Sequence, residues 1–461
     1  MKKVALLMSI FLVLAGCSPA KPGSSGDLPG SSSSDPVDSY LIPTVPSNSL
    51  VTTSSDTVAQ KPPVCITSSP SSAAYSVTLC LTAPSDGDTF TGDGTVSATL
   101  DVTGISPGVR RVVFYLNGAY LLTDFTDPYT FLLPSSKWAD GTYTLSVEAL
   151  MQDNFTTKQA SLSVGFDNGN ASTPVNDKQF QPATGRPATS GQPFVVAVTG
   201  NGASGESTST DVVNLIASQN PNLLLYLGDI YEQGSVAEFY NWYGTSSTYF
   251  GQFRSITDPA IGNDEYVDKV GFGYFDYWDN IPDYYSFNAD GWHFISLDSN
   301  YHFDAVNQGS AQYKWLQQDL AANTQPCTIA YYHHPLFTIG SKTPTTAMAD
   351  IWKLLAQYGV SIVLNGEDHN YQRWVPLDGN GQPSPNGITE FMVGTGGHTI
   401  LPFIGTDSRV AFADDTKPDV YGALFLQLNQ DSANFSYRNT AGNVLDSGVV
   451  TCVSAPASSN P

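Results

Sequence analysis

Positive charge is what this chain has least of. Its 461 residues include 19 Lys and Arg against 42 Asp and Glu, a formal net charge of −23, and charged residues make up only 13%. A surface this acidic repels polyanions at long range, which argues against nucleic acid and anionic lipid headgroups as partners. A small anionic substrate would be repelled as well, unless bound cations reverse the local field. Long hydrophobic runs are also missing: beyond residues 4–14, themselves too short to span a bilayer, no segment is apolar enough to cross one. Cysteine and histidine are scarce, at 5 and 6 residues, so each one can be considered individually. Aromatic residues are plentiful (24 Tyr, 23 Phe, 7 Trp), a composition that suits a β-containing extracytoplasmic protein and not a disordered one.

Lys2 and Lys3 precede the apolar stretch 4–14, which runs into Leu14-Ala15-Gly16-Cys17. This segment resembles the lipobox of bacterial lipoproteins. The resemblance implies that residues 1–17 are a signal peptide with Cys17 lipidated, and that the protein is exported. It would then be held on a membrane by its lipid anchor alone, facing the periplasm or cell exterior. An ordinary secretory leader with an incidental cysteine is the plainer alternative. Export permits disulfides among Cys65, Cys80, Cys327 and Cys452, for which three pairings exist. Cys65–Cys80 would lie within one module, and Cys327–Cys452, the expected pairing, would tie the end of the chain to a core strand.

Residues 18–60 are rich in Ser, Pro, Gly and Thr and are expected to form a tether. From 61 to 166 short alternating runs follow one another, among them SATLDV, RRVVFYLNG, YTFLL and TYTLSVEAL, at the spacing of a β-sandwich. VVFYLNG followed by WADGTYTLSVEA resembles a bacterial immunoglobulin-like domain. A polar, Pro/Gly-rich linker is expected over 167–190, a larger domain over 191–453 and a short tail over 454–461. Within the larger domain apolar strands alternate with helical patterns. Val212, Val213, Leu215 and Ile216 mark one helix; Met348, Ile351, Trp352 and Leu355 mark another that ends at Gly359. Strand–helix alternation predicts an α/β layered architecture.

Five apolar runs in this domain each lead into a residue able to bind a metal. They are FVVAVTG before Asn201, LLLYLG before Asp229, PAIG before Asn263, TIAYY before His333, and SIVLNG before Glu367 and His369. Ligands of α/β folds gather where such strands end, so these side chains are expected to converge on one site.

The blocks TGNGA, GDIY, GNDE, YYHHP and GEDHNYQRW, in this order, resemble the calcineurin-like metallophosphoesterases, in the branch related to purple acid phosphatases. The resemblance implies a β-sandwich flanked by helices and one or two divalent metal ions (Mn, Fe or Zn). It implies hydrolysis of a phosphate mono- or diester by metal-bound hydroxide, on a small phosphate-ester substrate. It places Asp229 as the bridging carboxylate, Asn201 and His369 around one metal, and Asn263, His333 and Glu367 around the other. Asp229, Asp264 and His333 are the implied catalytic set.

The chain departs from the family pattern at Asn201, where the family has Asp, at Glu367, where it has His, and at Asp264, where it has His. That last histidine contacts substrate phosphate and can protonate the leaving group. Tyr231 follows Asp229 by two residues where purple acid phosphatases place a tyrosinate ligand at three, so no purple iron chromophore is expected. A phosphoesterase with an altered site and a non-catalytic surface scaffold both remain compatible with these changes.

His293 is expected to be packed and His302 solvent-facing. For His334 and His398 local hydrogen bonding is favoured over substrate contact, and for the aromatic run 226–249 core packing is favoured over a substrate groove.

Overall fold

The computed structural model describes residues 61–72, 74–413 and 420–453. The expected leader with Cys17, the tether 18–60 and the tail 454–461 lie outside the described residues.

In the strand Tyr75–Ala83 every second side chain up to Leu81 is buried, the period of a strand with one face on a core. It pairs with Val64–Ser68 and Gly94–Gly104, and Tyr129–Leu133 completes a four-stranded sheet. A five-stranded sheet shares its core, in the order Asp88–Phe90, Ala160–Phe166, Gly141–Met151, Val109–Leu116, Ala119–Asp124. Phe114 and Phe131 meet edge to face across the two sheets at 4.9 Å. Cys65 and Cys80 are direct cross-strand partners and form a disulfide.

The larger domain is built on two further sheets. One has six strands, in the order Thr257–Pro259, Leu223–Tyr226, Phe194–Thr199, Gly422–Leu428, Ser432–Asn439, Val444–Thr451. The other has seven, in the order Tyr285–Ala289, Trp292–Ser296, Cys327–Tyr331, Ile362–Asn365, Thr389–Val393, Tyr371–Trp374, Val410–Ala413. The strands that lead into the candidate residues run parallel to one another within each sheet, and Phe194–Thr199 is antiparallel to Gly422–Leu428 on its other side. Parallel strands are covered on both faces, which is why LLLY, CTIAY and IVLN are buried at every position without alternation.

The expected strand PAIG is displaced: the ladder spans Thr257–Pro259 at the sheet edge, where a proline is tolerated, and its last bond is Ala260 N–H to Tyr226 O (2.8 Å). Residues 260–262 then turn toward Asp229. Helix Ser207–Gln219 buries the four apolar residues its spacing marks. Helix Ala349–Gln357 buries Ile351, Trp352, Leu354 and Leu355, and Gly359 follows at φ 74° as a left-handed terminus. The Cys327–Cys452 disulfide links the seven-stranded sheet to the residue just past the last strand of the six-stranded one.

The smaller sandwich docks on the segment that follows Asp229. Glu238 accepts N–H groups from Gln233 (3.1 Å) and Ser235 (3.0 Å) and the hydroxyl of Tyr120. Asn241 bonds both the N–H and the carbonyl of Leu132 (2.8 and 2.9 Å), and the Trp242 indole donates to Thr123 O (2.9 Å). Arg111 pairs with Glu232 at 2.7 Å. The segment 167–190 contains no regular element, yet it is fastened along its length: Asn176 donates to Asp276 O and Ala183 N–H to Asp258.

Two measurements test this packing. The Cys327–Cys452 crosslink closes a loop of 125 residues, so Cys452→Ser is expected to lower unfolding stability by about 2–5 kcal/mol in a urea titration. Asp258 is fully buried, and burial pushes its carboxyl up to about 7. Because this lies above the unfolded value of about 3.9, its contribution is fully present below that pH and is lost as pH rises through 7. Stability should therefore decline from pH 5 to pH 8, and Asp258→Asn should flatten the decline.

Candidate metal centre

The loops of the site are shaped by residues that accept unusual backbone. Asn201 and Asp229, just past two neighbouring parallel strands, sit at φ 55° and 64°, a region that Asn and Asp enter more readily than other non-glycine residues. Gly228 is at φ 95°, and a Cβ there would lie 2.7 Å from Gly262 N and 2.8 Å from His333 Nδ1, so three loops touch only because it is glycine. Glu265 clasps two of them. Its Oε2 accepts N–H groups from Gly262 (2.7 Å) and Asp229 (3.3 Å), and its Oε1 accepts that of Ile230 (2.8 Å).

His333 stands at the centre, fully buried. Its Nδ1 lies 2.7 Å from the Leu227 carbonyl, which can only accept, so the hydrogen sits on Nδ1. Nε2 points between two carboxylates, 3.1 Å from Asp229 Oδ2 and 2.7 Å from Glu367 Oε2. Burial opposes charge on the imidazole, but Asp229 and Glu367 outweigh it and hold His333 well above its ordinary value. Burial likewise opposes the Asp229 carboxylate, and the charge and hydrogen bond of His333 hold it below the usual range. A proton on Nε2 thus occupies the place between the carboxylates that a cation can take.

The donor set fits a divalent ion. Asp229, His333 and Glu367 each offer one ligand atom, all within 4.8 Å of one another. Asn201 Oδ1 and Asn263 Oδ1 are buried without a hydrogen-bond partner, a state uncommon in native interiors and one that an ion or water relieves. An imidazole whose far N–H rests on a backbone carbonyl is the arrangement found in metal-ligating histidines. Mixed carboxylate, imidazole and amide oxygen donors suit hard to borderline ions such as Mn, Fe(II) and Zn.

Of the six expected ligands the structure gathers these three into one cluster, with the other three on adjoining loops. Asn201 donates Nδ2 to Gly366 O (2.8 Å), a bond that an aspartate could not make. His369 places Nδ1 against Thr399 O (2.7 Å) and Nε2 against the Tyr231 hydroxyl (3.0 Å); burial pushes it down to about 4, so it is neutral. Tyr231 is pushed well above its ordinary value by burial and then by Asp229, so it is a phenol that donates to His369.

Asp264 donates its N–H to Asp229 Oδ1 (3.2 Å) and accepts from Asn263 Nδ2 (2.9 Å). Burial first, then the charges of Asp229 and Glu265, push its carboxyl well above the carboxylate range. A carboxyl that keeps its proton has a hydrogen to give.

The remaining histidines are all engaged locally or exposed. His293 bonds Asn288 and Asp319, both at 2.8 Å, and His302 is exposed. His334 rests on Ser299 Oγ (2.9 Å), and His398 pairs with Glu206 (2.6 Å) while stacking on Tyr231 at 4.0 Å. Phe239, Trp242 and Tyr243 are core residues, and Tyr226 OH receives the N–H groups of Gly202 and Ala203. Among the groups that carry no signal in the sequence are Glu265 and Lys342. Glu265 lies inside the GNDE block without an assigned role, and Lys342, 3.0 Å from Glu367 Oε1, belongs to no block at all.

Residues 203–371 match the calcineurin-like phosphoesterase family and residues 78–147 the bacterial Ig domain. Purple acid phosphatase 15 of Arabidopsis thaliana is 28% identical over 236 residues, 41% of this chain and 42% of that one. Purple acid phosphatase 18 of the same plant is 33% identical over 121 residues, 25% of this chain and 27% of its own. Human tartrate-resistant acid phosphatase type 5 is 32% identical over 108 residues, 20% of this chain and 33% of its own. The chain therefore spans less than half the length of these relatives. Its larger domain has the metallophosphoesterase fold, and the smaller sandwich is Ig-like.

If the cluster holds an ion, Glu367→Gln should weaken divalent-ion affinity by roughly 10–100-fold or more in a calorimetric titration. The same substitution should shrink the rise in Tm that added metal produces.

Proposed function

We propose that this chain, a bacterial Ig domain followed by a calcineurin-like phosphoesterase domain, is an extracytoplasmic metal-dependent phosphoesterase. It hydrolyses phosphate mono- or diesters with a partly altered active site. The observation that carries this reading is the buried Asp229–His333–Glu367 cluster, two carboxylates converging on one imidazole nitrogen at the ends of parallel strands. These residues would hold the ion, with Asn201 Oδ1 and Asn263 Oδ1 as further oxygen donors. A divalent ion bound there supplies Lewis-acid polarisation of the phosphoryl oxygens and acidifies water.

The chain's own residues do the rest. Leu227 O fixes the His333 ring, leaving Nε2 as its only free face toward the cluster. Glu265 holds the Asp229 and Gly262 loops at a fixed separation. Asp264 carries the proton that the departing ester oxygen takes as its bond to phosphorus breaks, and Asn263 Nδ2 orients that carboxyl. A proton on Asp264 also removes the repulsion that an ionised carboxylate would exert on a phosphate. The location outside the cytoplasm is supported by the leader-like N-terminus and by two disulfides.

A non-catalytic binding protein is the competing reading. It draws on Asn201 being tied to Gly366 O and His369 to Tyr231, which leaves three clustered ligands in place of six.

Hydrolysis of mono- and bis-p-nitrophenyl phosphate with Mn²⁺, Fe²⁺, Zn²⁺, Co²⁺ or Mg²⁺ decides between the two. Metal-dependent turnover that Asp229→Asn abolishes is expected, with Asp264→Asn lowering kcat by about 10²–10⁴-fold. Rates equal to that of the Asp229→Asn protein under every metal would retire the hydrolytic reading.

A further inference from the structure

Phosphate is an anion, the chain is acidic, and Asp264 presents no positive charge to it. One cation of the chain's own reaches the cluster. Lys342 Nζ lies 3.0 Å from Glu367 Oε1, with 34% of the lysine side chain exposed against 10% of the glutamate's. The two oxygens of Glu367 are thereby divided, Oε2 toward His333 and Oε1 toward Lys342. Among the described residues no other Lys or Arg is ion-paired with Asp229 or Glu367.

The approach of Lys342 is built into the fold. Asp368, fully buried and next in sequence to Glu367, accepts the Lys342 N–H at 3.0 Å through Oδ1 and the Thr338 hydroxyl through Oδ2. Thr338 Oγ in turn accepts the Gly340 N–H (2.9 Å), and Gln372 accepts that of Ile339 (3.1 Å). A Cβ on Gly340 would come within 2.3 Å of Asp368 Oδ1, so the segment 338–342 lies flush on the loop that supplies Glu367 and His369. A buried carboxylate thus spends its acceptors holding in place the loop that carries one lysine.

We infer that Lys342 is a substrate-binding residue of the phosphoesterase, its ammonium contacting the phosphoryl oxygens beside the Asp229–His333–Glu367 cluster. This rests on the phosphate-ester reading of the site. An ammonium has three N–H donors and Glu367 takes one, which leaves two for an incoming oxyanion. The half-open position lets that anion arrive from solvent. Glu367, for its part, is compensated on both sides and can face a cation without carrying an unpaired buried charge.

The test uses the metal-loaded full-length protein and inorganic phosphate as probe. In Lys342→Gln the dissociation constant for phosphate should rise about tenfold or more, and KM for p-nitrophenyl phosphate should rise with it. Metal content and Tm should match the wild type, and Lys342→Arg should recover most of the affinity. Unchanged phosphate affinity in Lys342→Gln would overturn the inference. So would loss of metal from both variants, which would mean that Lys342 serves only to neutralise Glu367. Phosphate binding is read without turnover, so the two readings fail separately: an inert wild type that binds phosphate through Lys342 sinks hydrolysis and leaves this assignment standing. A wild type that does not bind phosphate sinks the assignment itself.

Discussion

The hydrogen bond from His333 Nδ1–H to the carbonyl of Leu227 is the contact on which the site depends. His333 follows a strand of the seven-stranded sheet, and Leu227 follows a strand of the six-stranded one. The bond therefore joins the two halves of the domain where their strands end. It fixes the ring, turns Nε2 toward Asp229 and Glu367, and gives the buried Nδ1–H of His333 an acceptor. Without it the two carboxylates would face one another across a mobile ring, and their repulsion would be unrelieved. The glycines at 228 and 262 and the Glu265 clasp serve the same end, since each permits or enforces the approach of the Asp229 loop.

The departures from the family pattern are mutually consistent when considered as a charge distribution. Asn201 removes a negative charge and gains a donor that the Gly366 carbonyl accepts. Glu367 adds a negative charge and is met by Lys342. Asp264 replaces an imidazole by a carboxyl whose surroundings favour the protonated form. Each exchange moves charge within the site without leaving an ionised side chain in the interior unmatched, the condition under which buried charge is tolerated.

Much of this was legible in the sequence. Uninterrupted apolar runs such as LLLY and IVLN report strands covered on both faces, and the polar residues just beyond them mark the site, which is how Asp229, His333 and Glu367 could be named. Helix spacing around Val212 and Trp352 is equally direct. The pairing of Cys327 with Cys452 was expected and is present. Glu265, Asp368 and Lys342 were not legible, because a single charged residue in a loop carries no period and its partner is chosen by tertiary contact. The same holds for the docking of the Ig-like sandwich, where Tyr120 meets Glu238 and Leu132 meets Asn241 across more than a hundred residues. The PAIG run misled by two residues because the apolar pattern continues past the end of the Thr257–Pro259 ladder into the turn toward Asp229.

The most direct test of the account is to locate the ion itself. Crystals of the protein grown with Mn²⁺ or Zn²⁺ and measured at the metal's absorption edge should show an anomalous peak between Asp229 Oδ2, His333 Nε2 and Glu367 Oε2. A metal-loaded crystal with no peak there, or with ions bound only elsewhere on the acidic surface, would contradict the claim that this cluster is a metal centre.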